Sequence, residues 1–68
     1  MELATQLAAA RRDAGLTQAQ LAEAVGSSAA TISHYETGHR VPSLARLCEL
    51  ADALGVTVGS LLRQGGHR

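Results

Sequence analysis

Few side chains in this 68-residue chain can carry chemistry: one cysteine, Cys48, three histidines, His34, His39 and His67, and six arginines against six acids. A tetrahedral zinc site needs four nitrogen or sulfur ligands at close, regular spacing, and these residues fall at none of the usual intervals. Cys48 has no second cysteine with which to form an internal disulfide. Glu49 and Asp52 beside it disfavour the thiolate that a redox sensor requires, so it is expected to pack as a small side chain on the flank of a core stripe. There is no nucleophile–base pair, metal cluster or phosphate-cradling loop in the sequence. A reaction pocket of about 300 Å³ would also remove much of the core that so short a chain can build. No enzyme, cofactor or metal is expected, and binding is the better reading.

The residues that suit binding are of another kind. Ala29, Ala30, Ser33, His34 and Thr37 recur on one side of a helical stretch whose other side carries Ile32 and Tyr35. A solvated helix face normally bears lysine or glutamate. This one is small and uncharged apart from what His34 gains on protonation, as a face made for close approach would be. Upstream, Thr17-Gln18-Ala19-Gln20 is a capping-box pattern, in which threonine accepts a backbone amide and the glutamine three residues on reaches back. Arg11 and Glu36 both fall on the apolar sides of their helices, where a charge is costly unless paired.

The elements that must hold these residues follow from composition and punctuation. Thirteen alanines, ten leucines and one aromatic residue favour helix and disfavour strand. Glycines at 15, 26, 38 and 55 and the single proline, Pro42, divide the chain into four helices, with a short fifth after them. In the first, Leu3, Leu7, Ala10, Arg11 and Ala14 form the stripe; in the second, Leu21, Ala22 and Val25 face inward. Ser28, Ser43 and Thr57 are the expected N-caps of helices three to five. Leu44, Leu47, Leu50, Ala51 and Leu54 give the fourth helix its core face. One all-α domain over residues 1–63 is expected, with a polar tail from Gln64 to Arg68.

Gly15-Leu16-Thr17-Gln18-Ala19-Gln20-Leu21-Ala22, then Val25-Gly26-Ser27-Ser28, Ile32-Ser33, Glu36, Gly38 and Pro42, with Leu47, Leu50-Ala51, Leu54-Gly55-Val56 and Leu61 after them, resembles the Cro/phage-repressor (XRE) type of helix-turn-helix DNA-binding domain. The resemblance covers about residues 3 to 62 and is specific, because the motifs occur together in order. It implies a five-helix, lambda-repressor-like fold in which helices two and three form the helix-turn-helix. It also implies an Arg11–Glu36 ion pair and a transcriptional regulator, a repressor or autoregulator, with helix three in the major groove of operator DNA. By the same resemblance Gln18 meets a phosphate, Thr17 and Ser28 cap or meet another, and Ala29, Ala30, Ser33 and His34 face the bases, with Thr37 a further DNA-contact candidate. His39, Arg40 and Arg46 lie where the family grips the backbone. The family often carries glutamine, arginine or asparagine at the base-reading positions. Alanine offers a thymine only methyl contact, which leaves Ser33 and His34, with Ser28 or Thr37 as further candidates and groove shape for the remainder, to discriminate.

One such domain reads few bases, so a homodimer on half-sites about one helical turn apart is expected, sealed by exposed parts of Val56, Val58, Leu61 and Leu62. Zero net charge gives no sign of indiscriminate polyanion binding, although a neutral total can hide a basic face. Two other readings stay open: an antitoxin-type regulator bound to a partner protein such as a toxin, and an interaction module that kept the fold without DNA binding. The start Met1-Glu2-Leu3-Ala4-Thr5-Gln6 lacks the basic n-region of a signal peptide, and no apolar run approaches the roughly 20 residues of a membrane span. A cytoplasmic protein is expected, with no membrane partner.

Overall fold

Four of the five helices begin on a hydroxyl, because a serine or threonine oxygen can accept an amide that the helix itself leaves unpaired. Thr17, Ser28, Ser43 and Thr57 each take the backbone N–H three residues on. In the computed structural model, which describes residues 2–63, the helices are α1 (Glu2–Asp13), α2 (Gln18–Val25), α3 (Ala29–Thr37), α4 (Leu44–Leu54) and α5 (Val58–Leu62). There is no strand among the described residues. The polar tail expected from Gln64 to Arg68 lies outside them.

The turn between α2 and α3 shows how the chain reverses in so few residues. Gly26 takes φ +70°, and this left-handed step lets the Ser27 amide reach the Ala22 carbonyl at 2.8 Å and the Gly26 amide reach Glu23 at 3.3 Å. A side chain at Gly26 would meet no neighbour within 4 Å, so the demand for glycine is one of backbone conformation alone.

Packing joins α1 to α3 and α5, α2 to α3 and α4, and α4 to α5. Leu7, Leu21, Ile32, Leu50 and Leu61 are fully buried at the centre, ringed by Ala22, Tyr35, Leu47, Ala51 and Leu54. At roughly 2 kcal/mol for each large apolar side chain removed from water, this cluster is what orders the five short helices, none of which is long enough to persist alone.

Several expectations about the core need correction. Leu44 is 71% exposed. It stands in the first turn of α4, at the end of the line of Leu47, Leu50, Ala51 and Leu54, and the buried residue at that end of the helix is Pro42. Cys48, one turn beyond Leu44, is likewise exposed rather than packed on the flank of the stripe. On α1 the buried residues are Ala4, Leu7 and Ala8, while Ala14 is exposed beyond the helix end. Leu61 is 2% exposed and fills the core, so it has no surface to give to a seam between subunits.

Candidate nucleic-acid interface

The turn at Gly26 and the burial of Ile32 and Tyr35 together fix which side of α3 meets solvent. Ala29, Ala30, His34 and Thr37 are exposed and Ser33 is half-buried. Ser28 caps the helix through Oγ, which accepts the Thr31 amide at 3.1 Å and shares a hydrogen bond with Thr31 Oγ1 at 3.0 Å. Capping therefore engages this hydroxyl. The face presents methyl groups at its N-terminal end and an imidazole at its C-terminal end.

Past Thr37 the chain folds back on the helix. The Arg40 amide donates to the His34 carbonyl at 3.2 Å, and Thr37 Oγ1 lies 3.2 Å from His39 Nδ1 and donates to the His34 carbonyl at 3.3 Å. The rings of His34 and His39 stack with centroids 5.8 Å apart and planes 23° from parallel. Two of the expected contact residues thus form one exposed platform. The sequence signal for it was Gly38, whose φ of +82° turns the chain back at the end of α3.

At the start of α2, Thr17 Oγ1 accepts the Gln20 amide at 3.0 Å and Gln20 Oε1 accepts the Thr17 amide at 2.8 Å. The amides of Gln18 and Ala19 open the helix, where no carbonyl of the helix precedes them, and their dipoles suit an anion. Beneath this turn, Arg11 Nε donates to Glu36 Oε2 at 2.6 Å and Nη2 to Oε1 at 3.1 Å. Arg11 Nη1 donates to the Leu16 carbonyl at 2.8 Å. The side chains of Arg11 and Glu36 are 13% and 6% exposed. Burial pushes the Glu36 carboxyl up, but hydrogen bonds from Arg11 and Gln18, with the charges of Arg11 and Arg12, outweigh it and leave the carboxyl below its ordinary value. Arg11 is held above its own by the Glu36 hydrogen bond, against the pull of burial.

Gln18 belongs to this network as well: its Nε2 donates to Glu36 Oε1 at 3.1 Å. That bond was not legible beforehand, since the partners are eighteen positions apart and no spacing rule links them. Arg46 is the other surprise. Its guanidinium donates to the Val25 carbonyl at the end of α2 and pairs with Glu49 at 3.1 Å, so it braces α4 against α2 rather than standing free beside the loop. Arg40 and His39 remain exposed. The basic face foreseen around residues 39–46 is accordingly smaller than expected.

Two surface depressions of about 460 and 420 Å³ lie elsewhere, the first between α1 and the α4–α5 corner with Asp13 and Arg63 at its edge, the second beside Val25 and Ala53. Ser60 and Asp13 both line the first, and the Ser60 hydroxyl donates to the Thr57 carbonyl at 2.9 Å. Among the described residues, no three metal-ligating side chains lie close enough to hold an ion.

Residues 2–64 match the helix-turn-helix domain family. The chain belongs to that family. It is 34% identical over 61 residues to the cryptic phage CTXphi transcriptional repressor RstR of Vibrio cholerae, a match that covers 90% of this chain and 54% of the relative. The chain thus spans about half the length of the curated relative it matches. Among solved structures it is similar to the P22 c2 repressor crystallised with a synthetic operator, at a TM-score of 0.85 and 28% identity, covering 93% of this chain and 96% of that one. It is also similar to part of hydroxypropylphosphonic acid epoxidase from S. wedmorenis, at a TM-score of 0.83 and 28% identity, covering 88% of this chain but 32% of the enzyme. The five-helix, phage-repressor-like fold and the helix-turn-helix formed by α2 and α3 are therefore established for this chain.

Proposed function

We propose that this chain is a DNA-binding transcriptional regulator, a repressor or autoregulator, that lays α3 in the major groove of an operator while the first turn of α2 meets a phosphate. The observation that carries this reading is the pairing of two surfaces on one rigid unit: the small exposed face of α3 and the open N-terminus of α2, tied together through Glu36. Similarity to an operator-bound phage repressor along nearly its whole length supports it. Gln18 and the α2 amides serve the backbone; Ala29 and Ala30 offer methyl contacts to thymine; His34 donates to guanine O6 or N7; Thr17, Ser33, Thr37, His39 and Arg40 complete the surface. Such a regulator needs no catalytic group and works in the cytoplasm.

Two copies are required to read an operator of useful length. With Leu61 withdrawn into the core, half-buried Val56 and Val58 and exposed Leu62 are what remain for the seam. Light scattering of the protein with its DNA tests the dimer, and a monomer at high micromolar concentration in the presence of DNA would rule it out.

Fluorescence anisotropy against duplexes tiled from the gene's own upstream region, with a scrambled duplex as control and at two salt concentrations, tests the main reading. Tight, salt-sensitive binding to one tile is expected. Equal weak binding to every tile turns the balance to a second reading, an interaction module or an antitoxin-type subunit. That reading draws on the epoxidase, in which the same fold forms about a third of an enzyme, and on the engagement of Arg46 within the fold. It predicts a stable complex on co-expression with the product of a neighbouring gene.

A further inference from the structure

We propose that Glu36 is a positioning residue for DNA binding: through its bond to Gln18 it sets the direction of the N–H that Gln18 offers to a phosphate. This inference rests on the reading that the first turn of α2 meets the DNA backbone.

An ionised carboxylate can only accept hydrogen bonds, so of the two ends of the Gln18 carboxamide it is the nitrogen that must face Glu36. One Nε2 hydrogen is spent on Oε1 at 3.1 Å. The second is not used by Glu36 and is left for another acceptor, on a half-buried side chain that the Glu36 bond restrains. A free glutamine would lose that freedom only on binding, at a cost in affinity. Glu36 is itself held in place, because Arg11 bonds both of its oxygens and its side chain is 6% exposed. Arg11 also grips the Leu16 carbonyl, next to the Thr17 cap. The phosphate-contacting turn of α2 is thus referenced to α3 by one carboxylate that never touches DNA. A fixed offset between these two elements is what sets base-reading register once a phosphate is bound.

The test is a double-mutant cycle on the full chain with a spectroscopic control. Arg11→Met with Glu36→Leu removes both charges together and keeps side-chain volume, so the fold is expected to survive, which circular dichroism checks. Gln18→Ala removes the contact itself. Each is expected to weaken binding to the operator tile about tenfold, the effect of one hydrogen bond to a charged group. Their combination is expected to be no weaker than either. Losses that multiply to about a hundredfold would overturn the proposal, as would wild-type affinity in the paired variant. Should the paired variant unfold, Glu36→Gln takes its place in the cycle. Independently, in 15N-labelled protein free of DNA, the side-chain amide lost in Gln18→Ala is expected to show two widely separated proton shifts that converge in the Glu36 variant. An amide with free-glutamine shifts in the wild type would overturn the proposal whatever the DNA result. Absence of binding to every tile with that signature intact would instead refute the reading of the α2 turn as a DNA contact, and with it Glu36's role there.

Discussion

On its inner side α3 carries Ile32 and Tyr35, both buried, and Glu36, hydrogen-bonded by two other residues; on its outer side it carries Ala29, Ala30, His34 and Thr37, all exposed. The inner side is specified atom by atom, and a change in any of its residues disturbs the placement of three helices. The outer side is almost bare of fixed hydrogen bonds until the His34–His39 platform at its end. Orientation is therefore built into the protein, while the chemistry available for reading bases is slight. On the proposed reading, affinity would come from well-placed backbone contacts, and sequence preference would lean on groove shape and thymine methyl groups.

The contrast is broken most severely from inside. Arg11→Ala leaves Glu36 buried without its partner and is expected to lower the unfolding free energy by about 3 kcal/mol, read from urea denaturation. The paired Arg11→Met/Glu36→Leu protein should recover most of that loss, and failure to recover it would place the damage in packing rather than in charge.

Acid acts on the same contact. Because the folded Glu36 carboxyl lies below its ordinary value of 4.5, the stability that it contributes is complete above that value and is lost as pH falls further, through the lowered folded value. The urea midpoint should thus drop as pH falls below about 4.5, less steeply in Glu36→Gln. A parallel pH dependence in the two proteins would exclude Glu36 as its source.

Gly26→Ala probes the turn that aims both sides. With nothing near the added methyl, the cost is that of the left-handed backbone, about 1 kcal/mol, and thermal melting should show it without a change in binding at temperatures where the protein stays folded.

The outer side gives the smallest effects. Arg40→Ala is expected to weaken binding to every duplex alike and to reduce the slope of log affinity against log salt by about 1, as the loss of one phosphate contact does. His34→Ala should cost a few-fold in affinity and relax the preference for the operator tile over the scrambled duplex, read by fluorescence anisotropy. Unchanged specificity in His34→Ala would leave α3 reading shape alone.

Much of this arrangement was legible in the residues. Hydroxyls at 17, 28, 43 and 57 and glycines at 15, 26, 38 and 55 marked the helix ends because capping is a local matter, settled within three or four residues. The inward positions of Leu7, Leu21, Ile32 and Leu50 followed from helical period. Period misled at Leu44, whose spacing fits the stripe although its turn projects beyond the neighbours that would cover it. It could not rank Leu61 above Leu62 either, since α5 is too short to define a face of its own.

The amino-acid sequence by itself determined the number and ends of the helices, the small uncharged face of α3, and two charges on apolar faces that each need a partner. Tertiary structure decided who meets whom: Gln18 at Glu36, Arg46 at the Val25 carbonyl, His34 under His39. The reason is range. Caps and periodicity act across a single turn, whereas a carboxylate in a three-way network is placed by how α1, α2 and α3 pack on one core, and no interval in the chain encodes that distance.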